Sequence, residues 1–95
     1  MRNYELTYII HPDLADDARP ALIRQVEDWI KAGGGSVQKT VDWGRRRLAY
    51  RIKNQREGHY IHVLVELDTN AVPDLERNLK FNENILRHLL VRTDD

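Results

Sequence analysis

Cysteine is absent from the 95 residues, which excludes disulfide staples and thiolate metal sites. A reducing cytosol suits such a chain, and a cytoplasmic protein is expected. Long apolar runs are also missing: none approaches the ~20 residues that a membrane span requires. Met1-Arg2-Asn3-Tyr4-Glu5 begins directly on alternating residues, with no apolar stretch or small-residue cleavage site before it. Neither a membrane partner nor a secretory route is therefore expected. Finally there is no excess of charge, since fifteen basic side chains face fifteen acidic ones. Bulk charge cannot draw such a chain to a polyanion, as free-standing nucleic-acid binders are clearly basic. The length suffices for one core, and one domain over residues 1–95 is expected.

What is present is an uneven distribution. From Lys39 to Glu57 the basic residues are Lys39, Arg45, Arg46, Arg47, Arg51, Lys53 and Arg56, seven against Asp42 and Glu57, a local excess of five. Asp13 to Asp28 carries Asp13, Asp16, Asp17, Glu27 and Asp28 against Arg19 and Arg24, a local deficit of three. Arginines outnumber lysines eleven to four. The planar guanidinium suits bidentate phosphate and carboxylate contacts better than a lysine point charge. The molecule is electrically polarised.

Tyr4, Leu6, Tyr8 and Ile10 alternate with Asn3, Glu5, Thr7 and Ile9, the pattern of a half-buried strand whose first set faces the core. His11-Pro12-Asp13 ends it. A helix is predicted from about Asp17, with Leu22, Ile23, Val26, Trp29 and Ile30 on one face. Asp16 or Asp17 is the expected N-cap, Pro20 falls in the tolerant first turn, and Gly33-Gly34-Gly35 stops the helix. An extended stretch follows from Val37 to about Lys53, with Gly44 marking a bulge. A polar turn over 54–58 leads into a third strand, where Ile61, Val63, Val65 and Leu67 face inward. These two strands read as a hairpin with a long basic tip. A short helix begins at Thr69 or Asn70, with Val72, Leu75 and Leu79 inward and Pro73 in its first turn. The last strand, Ile85 to Arg92, has two phases open to it, because either Arg87 or His88 shares a face with leucines; Arg87 outward is preferred, since a buried unpaired arginine costs far more than a buried neutral histidine. The order βαββαβ with right-handed crossovers gives an α+β fold, a four-stranded antiparallel sheet with two helices packed on one face. The other face would carry Asn3, Glu5, Thr7, Tyr60, His62, Leu64, Glu66, Arg87 and Leu89. That mixture is too apolar for a solvated surface and too polar for a core, so it reads as a docking surface.

The residues supply no enzyme mechanism. His59 and His62 are three apart in a strand and project from opposite faces, while His11 and His88 have no acidic partner at ligand spacing. The triple glycine lacks the Gly-Lys-Ser/Thr of a phosphate loop and closes a helix instead of opening one. Ser36 has no nucleophile-elbow setting, and the paired carboxylates read as caps and solvated helix residues. No cofactor, metal or small-molecule substrate is expected.

Asp42-Trp43-Gly44-Arg45-Arg46-Arg47-Leu48-Ala49-Tyr50-Arg51 is the most informative stretch. Strand alternation places Arg45 and Arg47 on one side and Arg46 on the other unless a bulge intervenes. Arginines in this arrangement can hold two phosphate rows or clamp one backbone, and exposed bases can stack on aromatics such as Tyr60 or Trp43. The competing reading is a solvated basic strand with Trp43 packed at the sheet edge; Trp43 by itself suits a core or a partner better than a base.

This block, together with Met1-Arg2-Asn3-Tyr4-Glu5, His11-Pro12-Asp13 and Phe81-Asn82-Glu83-Asn84-Ile85-Leu86-Arg87, closely resembles the family of the sixth small-subunit ribosomal protein of bacteria. The blocks follow the family's order and span essentially the whole chain; the Trp-Gly-Arg-Arg-x-Leu-Ala-Tyr block is the specific one. The resemblance implies a ferredoxin-like fold, a place in the platform of the ribosome's small subunit and no enzymatic activity. It also implies a protein partner, the eighteenth small-subunit ribosomal protein, with which the family binds the central domain of small-subunit ribosomal RNA. A chain sharing its RNA site with a basic partner can recruit that partner through its own acidic residues, which accounts for the zero net charge.

Carried over by motif, the candidates for RNA or partner contact are Arg2 and Tyr4, then Arg45, Arg46 and Arg47, then Arg87, with Lys80 added by position. Arg2 and Arg87 are expected near each other, since the first and last strands are neighbours in this fold. Arg51 stands where the family commonly has proline, so the strand is expected to run further. After Thr93-Asp94-Asp95 there is no long acidic tail of the kind some members carry, which leaves tail-dependent regulation without a basis. Two other functions compete. A ferredoxin-like ligand-sensing or dimerisation module would want a glycine-rich loop at a strand-to-helix junction, and the glycines here end a helix. A small dimeric enzyme would want a converging pair such as His62 and Glu66 on the open face, and so exposed a pair is more often incidental.

Overall fold

The computed structural model describes residues 1–93. β1 (Arg2–Ile10) leads through α1 (Ala18–Ala32) to β2 (Ser36–Ile52) and its hairpin partner β3 (Gln55–Leu67). A 3₁₀ turn (Thr69–Ala71) then opens α2 (Val72–Phe81), and β4 (Ile85–Arg92) closes the sheet. The sheet order is β2-β3-β1-β4, antiparallel throughout, which is the ferredoxin-like arrangement. Residues directly opposite in an antiparallel pair share a face, so the register assigns the two faces. Tyr4, Leu6, Tyr8 and Ile10 lie across from Val65, Val63, Ile61 and His59. The first four strand residues and the facing Val65, Val63 and Ile61 pack against Leu22, Val26 and Ile30 of α1 and Leu75 and Leu79 of α2, forming the main core. Both helices therefore cover one face.

Local chemistry explains the ends of the elements. Asp17 occupies the N-cap position of α1 but its side chain makes no capping bond, and Asp16 instead accepts from Arg19 at 2.6 Å. Asp68 does cap, accepting from the Asn70 amide before the 3₁₀ turn. Gly44 has φ +80, a region that L side chains disfavour, and its amide donates to Asp42 Oδ1 at 2.8 Å. The register slips by one there, between Asp42 and Gly44, so the bulge expected at this glycine is present.

Three expectations are corrected. The turn between β2 and β3 is not the polar stretch 54–58 but only Lys53 and Asn54, both with positive φ, and β3 resumes at Gln55. Two residues with φ > 0 give a tight hairpin turn whose twist matches its strands, so no loop is needed. The open face carries no helix, as expected, but Ile9, read as an outward residue of β1, is buried on it: Ile9, Leu48 and Leu86 form a second buried cluster, flanked by Ile52 and Tyr60. And Arg2 lies far from Arg87. Arg2 is opposite Leu67, whereas Arg87 is opposite Ile9, at the other end of the β1–β4 pair and on the other face. Neighbouring antiparallel strands bring the start of one to the end of the other, and at ~3.3 Å per residue the two positions are roughly 20 Å apart along the sheet. Arg87 does point outward, as phased, and His88 shares the helix face with Tyr8.

Candidate nucleic-acid interface

The second cluster exists because the β2–β3 hairpin bends over the open face. Arg47 pairs with Glu57 and Ile52 with Gln55, so four residues, Leu48 to Arg51, stand against Arg56 alone. This wide bulge throws β2 outward and turns Leu48 in against Ile9 and Leu86. Gly58 makes the approach possible: a Cβ there would stand 2.2 Å from Ile9 Cγ2. The tip is a curled two-stranded ribbon, and β2 runs through Arg51 to Ile52 as the absence of proline suggested. Arg87 donates to the Tyr50 hydroxyl, and its guanidinium lies 5.9 Å from the Tyr50 ring centroid, linking the ribbon to β4.

The three consecutive arginines have different surroundings. Arg45 and Arg47 face one side and Arg46 the other, because no register slip falls between them. Arg45 Nε donates to Glu57 Oε2 at 2.8 Å and its guanidinium reaches the Pro12 carbonyl at 3.4 Å. That ion pair is half exposed on both sides, so water and salt screen it. Arg46 Nε donates to the Trp43 carbonyl at 3.3 Å, with its guanidinium 6.0 Å over the Trp43 ring. Among the described residues Arg47, Arg51 and Arg56 have neither an ion-pair nor a hydrogen-bond partner. With Arg45 they line a trough of about 660 Å³ at the root of the ribbon, where Asp13 and Glu57 are the carboxylates. Four guanidinium groups against two carboxylates leave it cationic.

On the open face, Trp43 is 45% exposed, so it is neither core nor packed away at the sheet edge. Its ring stacks on His62 at 5.2 Å and 7°, and His62 Nδ1 is hydrogen-bonded to Thr7 Oγ1 at 2.9 Å. His59 faces the other way, paired with Asp42 at 2.6 Å, so the two histidines are on opposite faces.

Of the sequence candidates, Arg45, Arg46, Arg47 and Arg87 meet at one end of the sheet. Lys80 is exposed in the last turn of α2, at that same end but on the helix face. Arg2 is exposed at the opposite end. Tyr4 is buried in the main core, so the expectation of a contact through its side chain is withdrawn: an even position on β1 faces the helices. Arg51 and Arg56 belong to the basic excess of residues 39–57 and, beyond the motif candidates, line the trough. The signal was available in the missing proline at Arg51; the bulge that groups them with Arg47 was not.

Fold and site together define a small ferredoxin-like α+β protein that concentrates its cations on a protruding β-ribbon. The family model of ribosomal protein S6 matches residues 3–92, and the chain belongs to that family. It is thereby a structural constituent of the small ribosomal subunit. Among solved structures it is similar to the crystal structure of 30S ribosomal protein S6 from Thermotoga maritima, with 29% identity over 97% of this chain and 87% of that one and a TM-score of 0.92. An uncharacterised protein from Thermotoga maritima matches over 98% of each chain at 17% identity and a TM-score of 0.58, a likeness of fold alone.

Proposed function

We propose that the chain, acting as one domain and without a chemical step of its own, binds the central domain of small-subunit ribosomal RNA jointly with the eighteenth small-subunit ribosomal protein. The observation that carries this is the set of unpartnered guanidinium groups on the ribbon, Arg47, Arg51 and Arg56, around a cationic trough. Phosphate contacts by arginine position a protein on RNA without reading its sequence, and a curved ribbon can follow a backbone. Arg45 and Arg46 stand beside them, each with a weak exposed partner that a phosphate can displace. Arg87, tied to Tyr50, belongs to the underside of the ribbon and to the protein partner. Arg2 and Lys80 are peripheral contacts at most, one at the far end and one on the helix face.

Joint binding follows from charge. The ribbon arginines release counterions at each phosphate they neutralise, but in a chain of zero net charge the acidic remainder repels the polyanion, whereas a basic companion adds further cations. The test is a filter-binding titration of a central-domain RNA fragment with the chain alone and with the eighteenth protein present. Weak binding alone and binding tighter by about tenfold or more together is expected, a coupling of typical size. Equal affinity in the two titrations would refute joint binding.

A further inference from the structure

Phe81 closes α2 with 72% of its surface exposed, more than any other large apolar side chain among the described residues. A single exposed apolar group needs no explanation by itself, so its surroundings decide. The helix stops at Asn82, whose backbone is extended. Asn82 Oδ1 accepts from the Asn84 amide at 2.9 Å, and the Asn84 carbonyl accepts from the His11 amide at 2.7 Å. The turn over 82–84 is thereby pinned to the loop over 11–14. That loop is a shared wall: Pro12 and Asp13 line the cationic trough, while Leu14 lines a groove of about 480 Å³ beside α1. Leu22 gives the groove a second apolar side chain, Arg24 and Asp28 are its charged groups, and Asn82 and Asn84 line it from the turn. Arg24 and Lys80 have neither an ion-pair nor a hydrogen-bond partner among the described residues.

We propose that Phe81 stacks on an unpaired base of the RNA whose phosphates occupy the trough, the strand passing over the 11–14 loop from the ribbon to the helix side. The assignment rests on the RNA reading above and extends that interface past its row of arginines. An exposed aromatic face stacks on any base. The C-terminal end of α2 carries partial negative charge, which disfavours a phosphate and tolerates a neutral base. Asp28 and Glu83 act in the same direction and keep the phosphate row on the trough side of the loop. The side-chain amide nitrogens of Asn82 and Asn84 can donate to a base edge, the way unpaired RNA is read. A protein anchor would instead want a well-packed apolar surround, and the chain neighbours of Phe81 are Lys80, Asn82 and Glu83. Lys80 then supplies one peripheral phosphate contact where the strand leaves the base.

The test titrates a central-domain RNA fragment with the full chain and the eighteenth protein by filter binding, for the wild type, Phe81→Ala and Phe81→Trp. Both substitutions fall on an exposed side chain, and thermal melts confirm that each variant is folded. Phe81→Ala is expected to weaken binding by roughly fivefold to a hundredfold, the range for one lost stacked base. Its salt slope is expected to match the wild type, because a phenyl ring neutralises no phosphate. Phe81→Trp keeps a stacking face and is expected to bind at least as tightly as the wild type. A photoreactive benzophenone side chain at position 81 is expected to crosslink to the RNA in the same complex. Wild-type affinity in Phe81→Ala, a Phe81→Trp variant as weak as Phe81→Ala, or a crosslink to the eighteenth protein in place of RNA would each overturn the stacking while leaving joint binding standing. If the wild-type pair binds no central-domain RNA, the RNA reading itself falls and the stacking with it.

Discussion

Gly58→Ala tests whether the ribbon lies down on the sheet as described. The added Cβ would stand 2.2 Å from Ile9 Cγ2 and 3.5 Å from the Ile10 carbonyl. Carbon atoms rest at about 3.5–4.0 Å, so the first contact is short by roughly 1.5 Å. Ile9 cannot swing aside freely, because it is β-branched and walled by Leu48 and Leu86. Either its χ1 leaves a rotamer well or the ribbon lifts, and overpacking of this kind costs about 1–3 kcal/mol. For a chain of this size that lowers the melting temperature by roughly 5–20 °C. The cause is isolated by a double-mutant cycle in urea. Ile9→Ala removes the offending methyl, at a cost of about 2–5 kcal/mol for the lost packing. On that background Gly58→Ala should cost less than about 0.5 kcal/mol, so the pair is strongly non-additive. Additive costs, or a Gly58→Ala variant as stable as the wild type, would show that the hairpin does not press on Ile9.

Three further outcomes are expected. Burial first, and then the carboxylates of Glu27 and Asp42, push the Tyr8 phenol far above its ordinary value. The unfolded chain therefore releases this proton above about pH 10 while the folded chain keeps it, so stability falls as pH rises past that point. Tyr8→Phe should remove that alkaline decline in urea midpoints and, because the buried Tyr8 hydroxyl has no partner among the described residues, should not destabilise at neutral pH; a decline identical in the two proteins would refute this. Thr40 donates to Glu27 Oε2 at 2.7 Å and ties β2 to α1, so Thr40→Val should cost roughly 1.5–3 kcal/mol in denaturant titrations, as expected for a bond to a charged acceptor. Replacing Lys53 and Asn54 by Asn and Gly should raise stability by about 1 kcal/mol in the same titrations, since both positions have positive φ and a non-glycine residue is strained there.

The parts of the fold that follow from one-sided burial were legible. Tyr4, Leu6, Tyr8 and Ile10 and the set Ile61, Val63, Val65 and Leu67 alternate because the helices cover one face, and period two reports that directly. The phase of β4 was not fixed by its pattern, since either Arg87 or His88 shares a face with leucines; only the cost of burying an arginine favoured Arg87 outward, which is where it lies. What escaped depends on contacts between distant segments. Ile9 reads as an outward residue and is buried only because a bulge at Leu48–Arg51 folds the hairpin back over it. The Lys53-Asn54 turn lacks the glycine that usually signals a tight hairpin, so the polar run after it reads as loop. The arginine block was visible as a charge excess. Which of its members lack partners was not, since Glu57, Pro12 and Trp43 take up Arg45 and Arg46 through the pairing register and fold.

The central claim is that the unpartnered guanidinium groups of the ribbon meet RNA phosphates. The most direct measurement is the salt dependence of central-domain RNA binding, with the eighteenth protein present, for the wild-type chain and for Arg47→Ala/Arg51→Ala/Arg56→Ala. Each lost phosphate contact should lower the slope by roughly 0.7–0.9, so the triple variant should fall short by about 2–3, and Arg45→Ala/Arg46→Ala by less. A slope that does not change when Arg47, Arg51 and Arg56 are removed would contradict the account.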